Sequence, residues 1–364
     1  MAHTRPSRAD VGTRRRGRWG SSTGCAGGCL TWAAVVRRLA TESPDEPTGP
    51  PAQGFGPPDP LAPATPPGGT AGTTRAVLHS LRPRQWIKNL LVFVAPAAAG
   101  KLGHAGTDGH AIAAFAIFSA VASGMYLVND VLDAEADRHH PEKRHRPMAA
   151  GLIGVSQALT MGSVLVAGGV VGAWFAGGWR LTVLMALYVA ISSAYSIWVK
   201  NIAVVELASV ASGFVLRAVA GGIATHVPLS DWFLAVTSFV AMFIVTGKRF
   251  AEYRNLGEGR EAHRRVLRDY TPTFLQSTLT LTATGAVTAY CLWAFDRTGL
   301  ASQTSHHPLW TQLTVVPFAI SVLHVLRVLD AGGGAAPEEL ALRDRWLHVF
   351  GAVWLLFFLI GIYA

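Results

Sequence analysis

Nine apolar stretches follow one another from residue 86 to the end of the sequence, and they constrain the fold more than any other feature. They cover residues 86–100, 111–130, 155–176, 180–199, 202–224, 232–247, 274–295, 309–329 and 346–364. Most approach the ~20 residues that a helix needs to cross about 30 Å of hydrocarbon. Because backbone groups in hydrocarbon must be paired within the segment, and no barrel pattern is visible, the sequence predicts an all-α integral membrane protein with nine transmembrane helices.

The first 75 residues differ in composition from the rest. They comprise an Arg-rich start, a short apolar patch from Cys29 to Val36, and a tract rich in Pro, Gly, Ala and Thr up to Thr74. The patch is too short to span a bilayer and has no convincing cleavage site. We therefore expect a disordered extension over residues 1–75, which an overlong start-site assignment would also produce, and one transmembrane domain over residues 76–364.

Basic residues in the short loops predict the orientation in the membrane. Loops after the second, fourth, sixth and eighth predicted helices are rich in Lys and Arg, whereas the opposite loops hold only Lys101, Arg180 and Arg297. The basic side is expected to face the cytoplasm of a multi-pass cell-membrane protein. The net charge of +9 belongs to these loops and to the Arg-rich start. It therefore favours anionic lipid and phosphorylated substrates over nucleic acid; homo-oligomerisation is left open.

Acidic side chains recur at the predicted end of the second helix. Since successive helical residues advance by about 100°, Asp130, Asp133 and Asp137 fall within roughly 60° of one another. Closely spaced carboxylates repel unless a cation compensates, and ionisable residues at this depth are usually functional. Hard oxygen ligands favour Mg²⁺, which also takes substrate phosphate oxygens. The pattern predicts a catalytic Mg²⁺ site with Asn129 as a further contributor; a solvated helix end is the alternative.

Basic side chains follow this acidic run and recur at other helix ends. Lys143, Arg144 and Arg146 can bind phosphate oxygens, while the carboxylates hold a metal ion that binds the same phosphate group. This combination indicates a diphosphate ligand. Residues that only set the membrane topology would give the same pattern. The further candidate substrate-binding residues are Lys88, Asn89, Tyr195, Lys200, Glu206, Arg217, Lys248, Arg249 and Glu252.

Charged residues inside the predicted helices need partners. Glu206 and Arg217 are eleven residues apart, so they share a helix face but are separated by about 16 Å of rise and cannot pair with each other. Both are expected to face the bundle interior, because a charge facing lipid is costly. Lys248 and Glu252 stand at i,i+4 and could simply pair on a solvated face. Residues 129–147, 195–200 and 247–254 would together form one polar cytoplasmic mouth.

These motifs resemble the UbiA superfamily of intramembrane prenyltransferases over about residues 82–364. The resemblance rests on Asn129-Asp130-x-x-Asp133-x-x-x-Asp137-Arg138, on Lys143-Arg144-x-Arg146-Pro147, on the helix end from Tyr195 to Lys200 and on the nine apolar stretches. It implies a UbiA-like bundle that binds a diphosphate substrate through Mg²⁺ held by two Asp-rich motifs.

The second of those motifs is altered in this chain. The loop after the sixth apolar stretch reads Gly247-Lys248-Arg249-Phe250-Ala251-Glu252 and lacks a DxxxD. With the segments 82–89 and 217–222, it resembles the decaprenyl-phosphate phosphoribosyltransferase branch. Lys248 and Arg249 would supply positive charge for additional phosphate groups.

That resemblance implies Mg²⁺-dependent transfer of 5-phosphoribose from phosphoribosyl pyrophosphate (PRPP) to a polyprenyl phosphate in arabinan and cell-wall precursor synthesis. Two other activities stay open. One is a prenyltransferase that uses a polyprenyl diphosphate and an aromatic acceptor. The other is a transporter or lipid carrier, since intramembrane charges also line transport paths, although the sequence shows no convincing internal repeat.

Overall fold

The computed structural model describes residues 70–139, 143–255, 265–296, 307–332, 340 and 343–364. Its α-helices are α1 Thr70–Ser80, α2 Val94–Ala98, α3 Ala105–Leu132, α4 Ala134–Arg138, α5 Val155–Ile197, α6 Val205–Ala224, α7 Asp231–Asn255, α8 Pro272–Phe295, α9 Pro308–Leu313, α10 Val315–Asp330 and α11 Arg345–Tyr363. Short 3-10 helices cover Pro83–Phe93, Lys143–His145, Val199–Asn201 and Arg265–Asp269. Within these ranges no strand occurs, which confirms the all-α prediction.

The predicted N-terminal extension lies outside the described residues as far as residue 69. Residues 70–75 belong to α1, so helical structure begins before the predicted domain boundary.

Among the residues that the structure describes, seven helical segments are long and apolar enough to cross a membrane. They are α3, α5, α6, α7, α8, the pair α9 and α10, and α11. The first predicted span is not among them, because it forms the 3-10 helix Pro83–Phe93 followed by the five-residue α2. A multi-pass membrane fold is confirmed, whereas the count of nine transmembrane helices stays a prediction.

Helix α5 contains two of the predicted apolar stretches. At 1.5 Å per residue, its 43 residues would extend about 65 Å, roughly twice the hydrocarbon thickness. The helix is interrupted at Gly178, which has φ 66° and ψ −160°. Residues other than glycine are strained in this backbone conformation. A single glycine therefore divides α5 into two segments that follow each other directly.

Small residues allow the elements around the site to pack closely. A methyl group on Gly124 of α3 would lie 2.7 Å from the Gly162 carbonyl oxygen of α5. A methyl group on Gly221 of α6 would lie only 1.8 Å from the Val92 carbonyl oxygen. Close contact between helices in lipid depends on such residues. The contact at Gly221 holds the 3-10 helix Pro83–Phe93 against α6.

Polar contacts fix the ends of the C-terminal helices. Asp344 accepts hydrogen bonds from two backbone N–H groups in the first turn of α11, and the His324 ring lies 2.9 Å from its carboxylate. The hydrogen bond with His324, aided by those N–H groups, holds the pKa of Asp344 below its usual range. Arg254 of α7 donates to the Leu329 carbonyl oxygen at 3.2 Å and so links α7 to the end of α10.

Candidate active site

The predicted carboxylates stand where α3 passes into α4. Asp133 joins the two helices, and backbone hydrogen bonds of helical spacing continue through it. The Asp133 N–H donates to the Asn129 carbonyl at 2.9 Å, and the Asp137 N–H donates to the Asp133 carbonyl at 2.8 Å. Asp130 and Asp137 are buried, with 3% and 4% exposure. The acidic residues therefore keep the helical spacing that the sequence predicts.

Two of these carboxylates converge on one guanidinium group. Arg146 Nη1 lies 2.6 Å from Asp137 Oδ2 and 3.5 Å from Asp130 Oδ1. Arg82 also donates to Asp130 Oδ1. Asp130 and Asp137 thus share a cation placed between them.

The third carboxylate faces a different base. Lys200 Nζ lies 2.7 Å from Asp133 Oδ1, and Asn129 Nδ2 donates to Asp133 Oδ2 at 3.0 Å. This pair is partly exposed, with 31% and 25% of the two charged side chains accessible. The structure therefore does not place all three aspartates around one cation.

The site offers two carboxylates for Mg²⁺, rather than the three that the sequence predicts. Within the described ranges, no group of three or more His, Cys, Asp or Glu side chains is close enough to hold a metal ion by itself. Mg²⁺ usually binds through one or two carboxylates and takes its other ligands from substrate phosphates and water. Asp130 and Asp137 satisfy that pattern, because they already converge on one positive group.

Arg82 contacts the acidic residues although the sequence motifs do not indicate it as a site residue. Its φ of 52° and ψ of 58° are left-handed, a conformation that costs a non-glycine residue of the order of 1 kcal/mol. Its guanidinium carbon lies 5.0 Å from the centre of the Tyr126 ring, and the group donates to Asp130. The segment 82–89 already stood out in the sequence, but its backbone conformation could not be read from it.

Glu206 and Arg249 bind each other rather than an open site. Arg249 Nε lies 2.6 Å from Glu206 Oε1, and Nη2 lies 2.9 Å from Oε2. Glu206 is completely buried and Arg249 is 4% exposed. Arg249 Nη1 also contacts Glu252 Oε2 at 2.9 Å. Glu206, Arg249 and Glu252 thus form an internal network, in which a carboxylate without solvent access has a fixed countercharge. Their role in substrate binding stays a prediction.

Tyr270 extends this network to the loop before α6. Its hydroxyl donates to Glu206 Oε1 at 3.4 Å and accepts the Val204 backbone N–H at 2.9 Å. Val204 has φ 67°, which is strained for a β-branched residue. Burial raises the pKa of Tyr270 to about 12. The tyrosine therefore remains a neutral hydrogen-bonding group that holds the strained turn.

A polar cavity of about 240 Å³ adjoins Asn129 next to the acidic residues. Among the predicted site residues, Lys88, Asn129, Tyr195 and Arg217 line it, and Arg82 joins them. No carboxylate is among its described lining residues. Hydroxyl-bearing and small side chains complete the walls, including Tyr126, Tyr188, Ser192, Ser209 and Gly213. The cavity is therefore suited to an anionic ligand.

Besides the residues of the ion pairs described above, four more predicted residues lie outside the lining of this cavity. Lys143 and Arg144 belong to the 3-10 helix Lys143–His145, and Arg144 is exposed. Lys248 precedes the buried Arg249 on α7. Asn89 is buried behind the cavity wall and donates to Ser119 Oγ at 3.0 Å.

A second, apolar cavity of about 410 Å³ lies among α2, α6, α7, α8 and the C-terminal helices. Its walls include Phe233, Tyr290, Trp293 and Trp354. Phe214 of α6 lines both this cavity and the polar one. A charged group and a hydrocarbon chain of one molecule could therefore bind on the two sides of one side chain.

Comparison with known proteins agrees with this architecture. Residues 90–350 match the model of the UbiA prenyltransferase family. The decaprenyl-phosphate phosphoribosyltransferase of Mycobacterium tuberculosis is 40% identical over 289 residues, which cover 78% of this chain and 93% of that protein. The protein of the same name from Corynebacterium glutamicum is 39% identical over 290 residues, covering 79% and 86%. The resemblance drawn from the sequence motifs is confirmed.

Solved structures show the same fold at low sequence identity. A UbiA homologue from Archaeoglobus fulgidus bound to GPP and Mg²⁺ has a TM-score of 0.59 at 18% identity, over 79% of this chain and 98% of that chain. A structure of digeranylgeranylglyceryl phosphate synthase has a TM-score of 0.58 at 14% identity, over 79% and 98%. The chain is a multi-pass membrane transferase that belongs to the UbiA prenyltransferase family.

Proposed function

We propose that this protein transfers 5-phosphoribose from PRPP to a polyprenyl phosphate, decaprenyl phosphate in the first instance, and releases pyrophosphate. The observation that carries the proposal is the polar cavity, in which Arg82, Lys88 and Arg217 contribute positive charge and no described lining residue is acidic. The names of the relatives point to the same reaction. The product would supply arabinan and cell-wall precursors.

The charge distribution favours PRPP over a prenyl diphosphate as donor. PRPP carries a 5-phosphate besides its pyrophosphate, and the acceptor brings another phosphate. Lys88 and Arg217 contribute positive charge in the cavity. Arg82, Arg146 and Lys200, which pair with the three aspartates here, would add charge for further anionic groups once Mg²⁺ takes up the carboxylates. A prenyl diphosphate with a neutral aromatic acceptor would need fewer of these bases.

Asp130 and Asp137 would hold Mg²⁺ from this side, with Asn129 beside them, and the ion would add positive charge at the leaving pyrophosphate. Arg146 and Lys200 lie within hydrogen-bond distance of the carboxylates. They are therefore close enough to stabilise negative charge that develops on the same leaving group. The site would face the cytoplasm, where the basic loops are expected.

The transfer itself needs little acid–base chemistry from the protein. The bond between C1 of ribose and the pyrophosphate oxygen breaks, and pyrophosphate departs with the electron pair. A lipid phosphate oxygen attacks C1 from the opposite face and forms the new bond. Because that oxygen is already anionic, no general base is required, and the side chains act by positioning and charge.

The acceptor chain would occupy the apolar cavity. Its aromatic and aliphatic walls suit an isoprenoid chain, and Phe214 places that cavity next to the polar one. The phosphate and the hydrocarbon of one lipid can then be bound at the same time.

Substitution of the paired aspartates tests the proposal. Purified wild type, Asp130→Asn and Asp137→Asn would be supplied with labelled PRPP and polyprenyl phosphate, and in parallel with prenyl diphosphate and 4-hydroxybenzoate. We expect wild type to form only the ribosylated lipid. The rate of each variant should fall about 100-fold or more, the usual effect of removing one charge-stabilising group from a water-poor active site.

Asp108→Asn is the matched control, because Asp108 lies in the first turn of α3, whereas Asp130 lies near the other end of that helix. It should retain the wild-type rate. Near-normal turnover of PRPP in either paired-aspartate variant, or transfer from prenyl diphosphate alone, would contradict the proposal. Movement of lipid without any new covalent product would instead favour a carrier.

A further inference from the structure

Arg217 of α6 is a buried cation whose hydrogen-bond partners are all neutral. It is 6% exposed. Its Nε donates to Asn89 Oδ1 at 2.7 Å, Nη1 to the Gly213 carbonyl oxygen at 2.5 Å, and Nη2 to the Tyr188 hydroxyl at 3.1 Å. The Phe118 and Tyr188 rings lie 5.2 and 5.1 Å from its guanidinium carbon. Among the described residues, no carboxylate forms an ion pair with it.

Arg249 provides an internal comparison. It is buried to a similar extent, but Glu206 and Glu252 both contact it. An ion taken out of water without a countercharge carries a penalty of several kcal/mol, which ring faces and neutral acceptors offset only in part. A charge kept at such a position inside a membrane protein is usually functional. The missing countercharge at Arg217 is therefore expected to come from a ligand.

The position of Arg217 shows where that ligand would bind. Arg217 lines the polar cavity together with Gly213. A methyl group on Gly213 would lie 3.3 Å from Arg217 Nη1, closer than ordinary contact, so glycine leaves room for the guanidinium group. Asn89 and Tyr188 hold the group from two other elements of the bundle. Arg217 is thus fixed at the wall of a cavity that can accept an anion.

The neighbouring cavity identifies the anion. Phe214, one helical turn before Arg217, lines both the polar and the apolar cavity, and Ala218 lines the apolar one. Only one of the two substrates carries a phosphate attached to a long hydrocarbon. We expect its phosphate to bind where the two cavities meet, and Arg217 is a cationic group beside that position, one turn from Phe214.

We propose that Arg217, positioned by Asn89 and Tyr188, binds the phosphate of the polyprenyl phosphate acceptor. The inference rests on the proposed function, since it assigns one substrate group within the same site. With the donor pyrophosphate near Arg146 and Lys200, as in the proposed function, the acceptor phosphate would approach the ribose from another side.

Equilibrium binding without turnover tests this assignment. Farnesyl phosphate and its uncharged analogue farnesol would be titrated into detergent-solubilised wild type, Arg217→Gln and Arg217→Lys, with PRPP absent and EDTA present, and intrinsic tryptophan fluorescence as readout. PRPP affinity would be measured separately with Mg²⁺. Arg180→Gln is the matched control, because Arg180 is exposed on α5 and does not line either cavity.

We expect Arg217→Gln to bind farnesyl phosphate about 10-fold or more weakly, the scale for losing charge-assisted hydrogen bonds. Its affinities for farnesol and PRPP should stay within about twofold of wild type. Arg217→Lys keeps the charge but not the planar donor fork, and should show a smaller loss for the same ligand only. If the glutamine variant does not fold, the lysine variant decides the question.

Two results would overturn the assignment. Loss of PRPP affinity with normal farnesyl phosphate binding would assign Arg217 to the donor 5-phosphate. Unchanged or equally reduced affinities would make its role structural. A wild type that forms no ribosylated lipid at all would instead refute the proposed function, so the two failures can be told apart.

Discussion

The buried ion pair between Glu206 and Arg249 should stabilise the fold rather than bind substrate, and a double-mutant cycle can show this. The changes are Glu206→Gln, Arg249→Met and both together. Removing one partner of a buried pair costs about 3–5 kcal/mol in the free energy of unfolding, because the other charge stays buried. Glutamine and methionine keep most of the side-chain volume, so the cycle reports on charge more than on packing.

The two single substitutions should lower the free energy of unfolding by different amounts. After Glu206→Gln, Arg249 still has Glu252 at 2.9 Å. After Arg249→Met, the described structure leaves Glu206 with the Tyr270 hydroxyl at 3.4 Å as its hydrogen-bond partner. We therefore expect about 3 kcal/mol for Glu206→Gln and about 5 kcal/mol for Arg249→Met. The double variant should cost less than the sum by about 3 kcal/mol, because neither charge remains without its partner.

Unfolding in mixed micelles with increasing SDS, followed by tryptophan fluorescence, measures these free energies. The 11 tryptophans of the chain give a strong signal. The KM for PRPP would be measured in parallel on the folded fraction. Additive costs, or a single variant with wild-type stability and a raised KM for PRPP, would refute the structural role and return Glu206 and Arg249 to the substrate site.

Three further changes test other parts of the structure. Gly221→Ala should lower the free energy of unfolding by about 3 kcal/mol in the same assay, because its methyl group would collide with the Val92 carbonyl oxygen at 1.8 Å. Gly168→Ala is the control: nothing lies within 4 Å of the added methyl group, so this change should be neutral or slightly stabilising. Tyr270→Phe removes the hydroxyl that accepts a backbone N–H in the strained turn before α6, and should cost about 1–2 kcal/mol, with unchanged stability arguing against that role. Asp344→Ala should lower the melting temperature near neutral pH. Since the pKa of Asp344 is lowered in the folded state, its contribution is present above about pH 4 and is lost as the pH falls below that value, so the difference from wild type should shrink on acidification.

The membrane class and the helical spacing of the three aspartates were readable from the sequence because both depend on local spacing. Hydrophobic stretches of span length predict helices wherever they occur, and the separation of Glu206 and Arg217 on one helix correctly excluded a pair between them. The actual partners were not readable. Arg249 lies on another helix, and Asn89 reaches Arg217 from the 3-10 helix, contacts that only the packed bundle creates.

Backbone conformation is a second feature that could not be predicted from the sequence. Arg82 reaches Asp130 from a left-handed conformation that precedes a proline, and helical periodicity gives no indication of it. Asp133 shares a helix face with Asp130 and Asp137 in projection. Its side chain nevertheless turns to Lys200, since that base comes from the distant segment Val199–Asn201.

The position of Phe214 would help to keep water away from the proposed reaction. Phe214 lines both the polar and the apolar cavity. In the proposed reaction, a donor from solution and an acceptor from the bilayer would therefore meet beside this ring, each from its own side. Pyrophosphate would then leave by the route through which PRPP entered, while the ribosylated lipid would return to the bilayer. Hydrolysis of the donor would then be suppressed whenever the lipid fills its side of that ring.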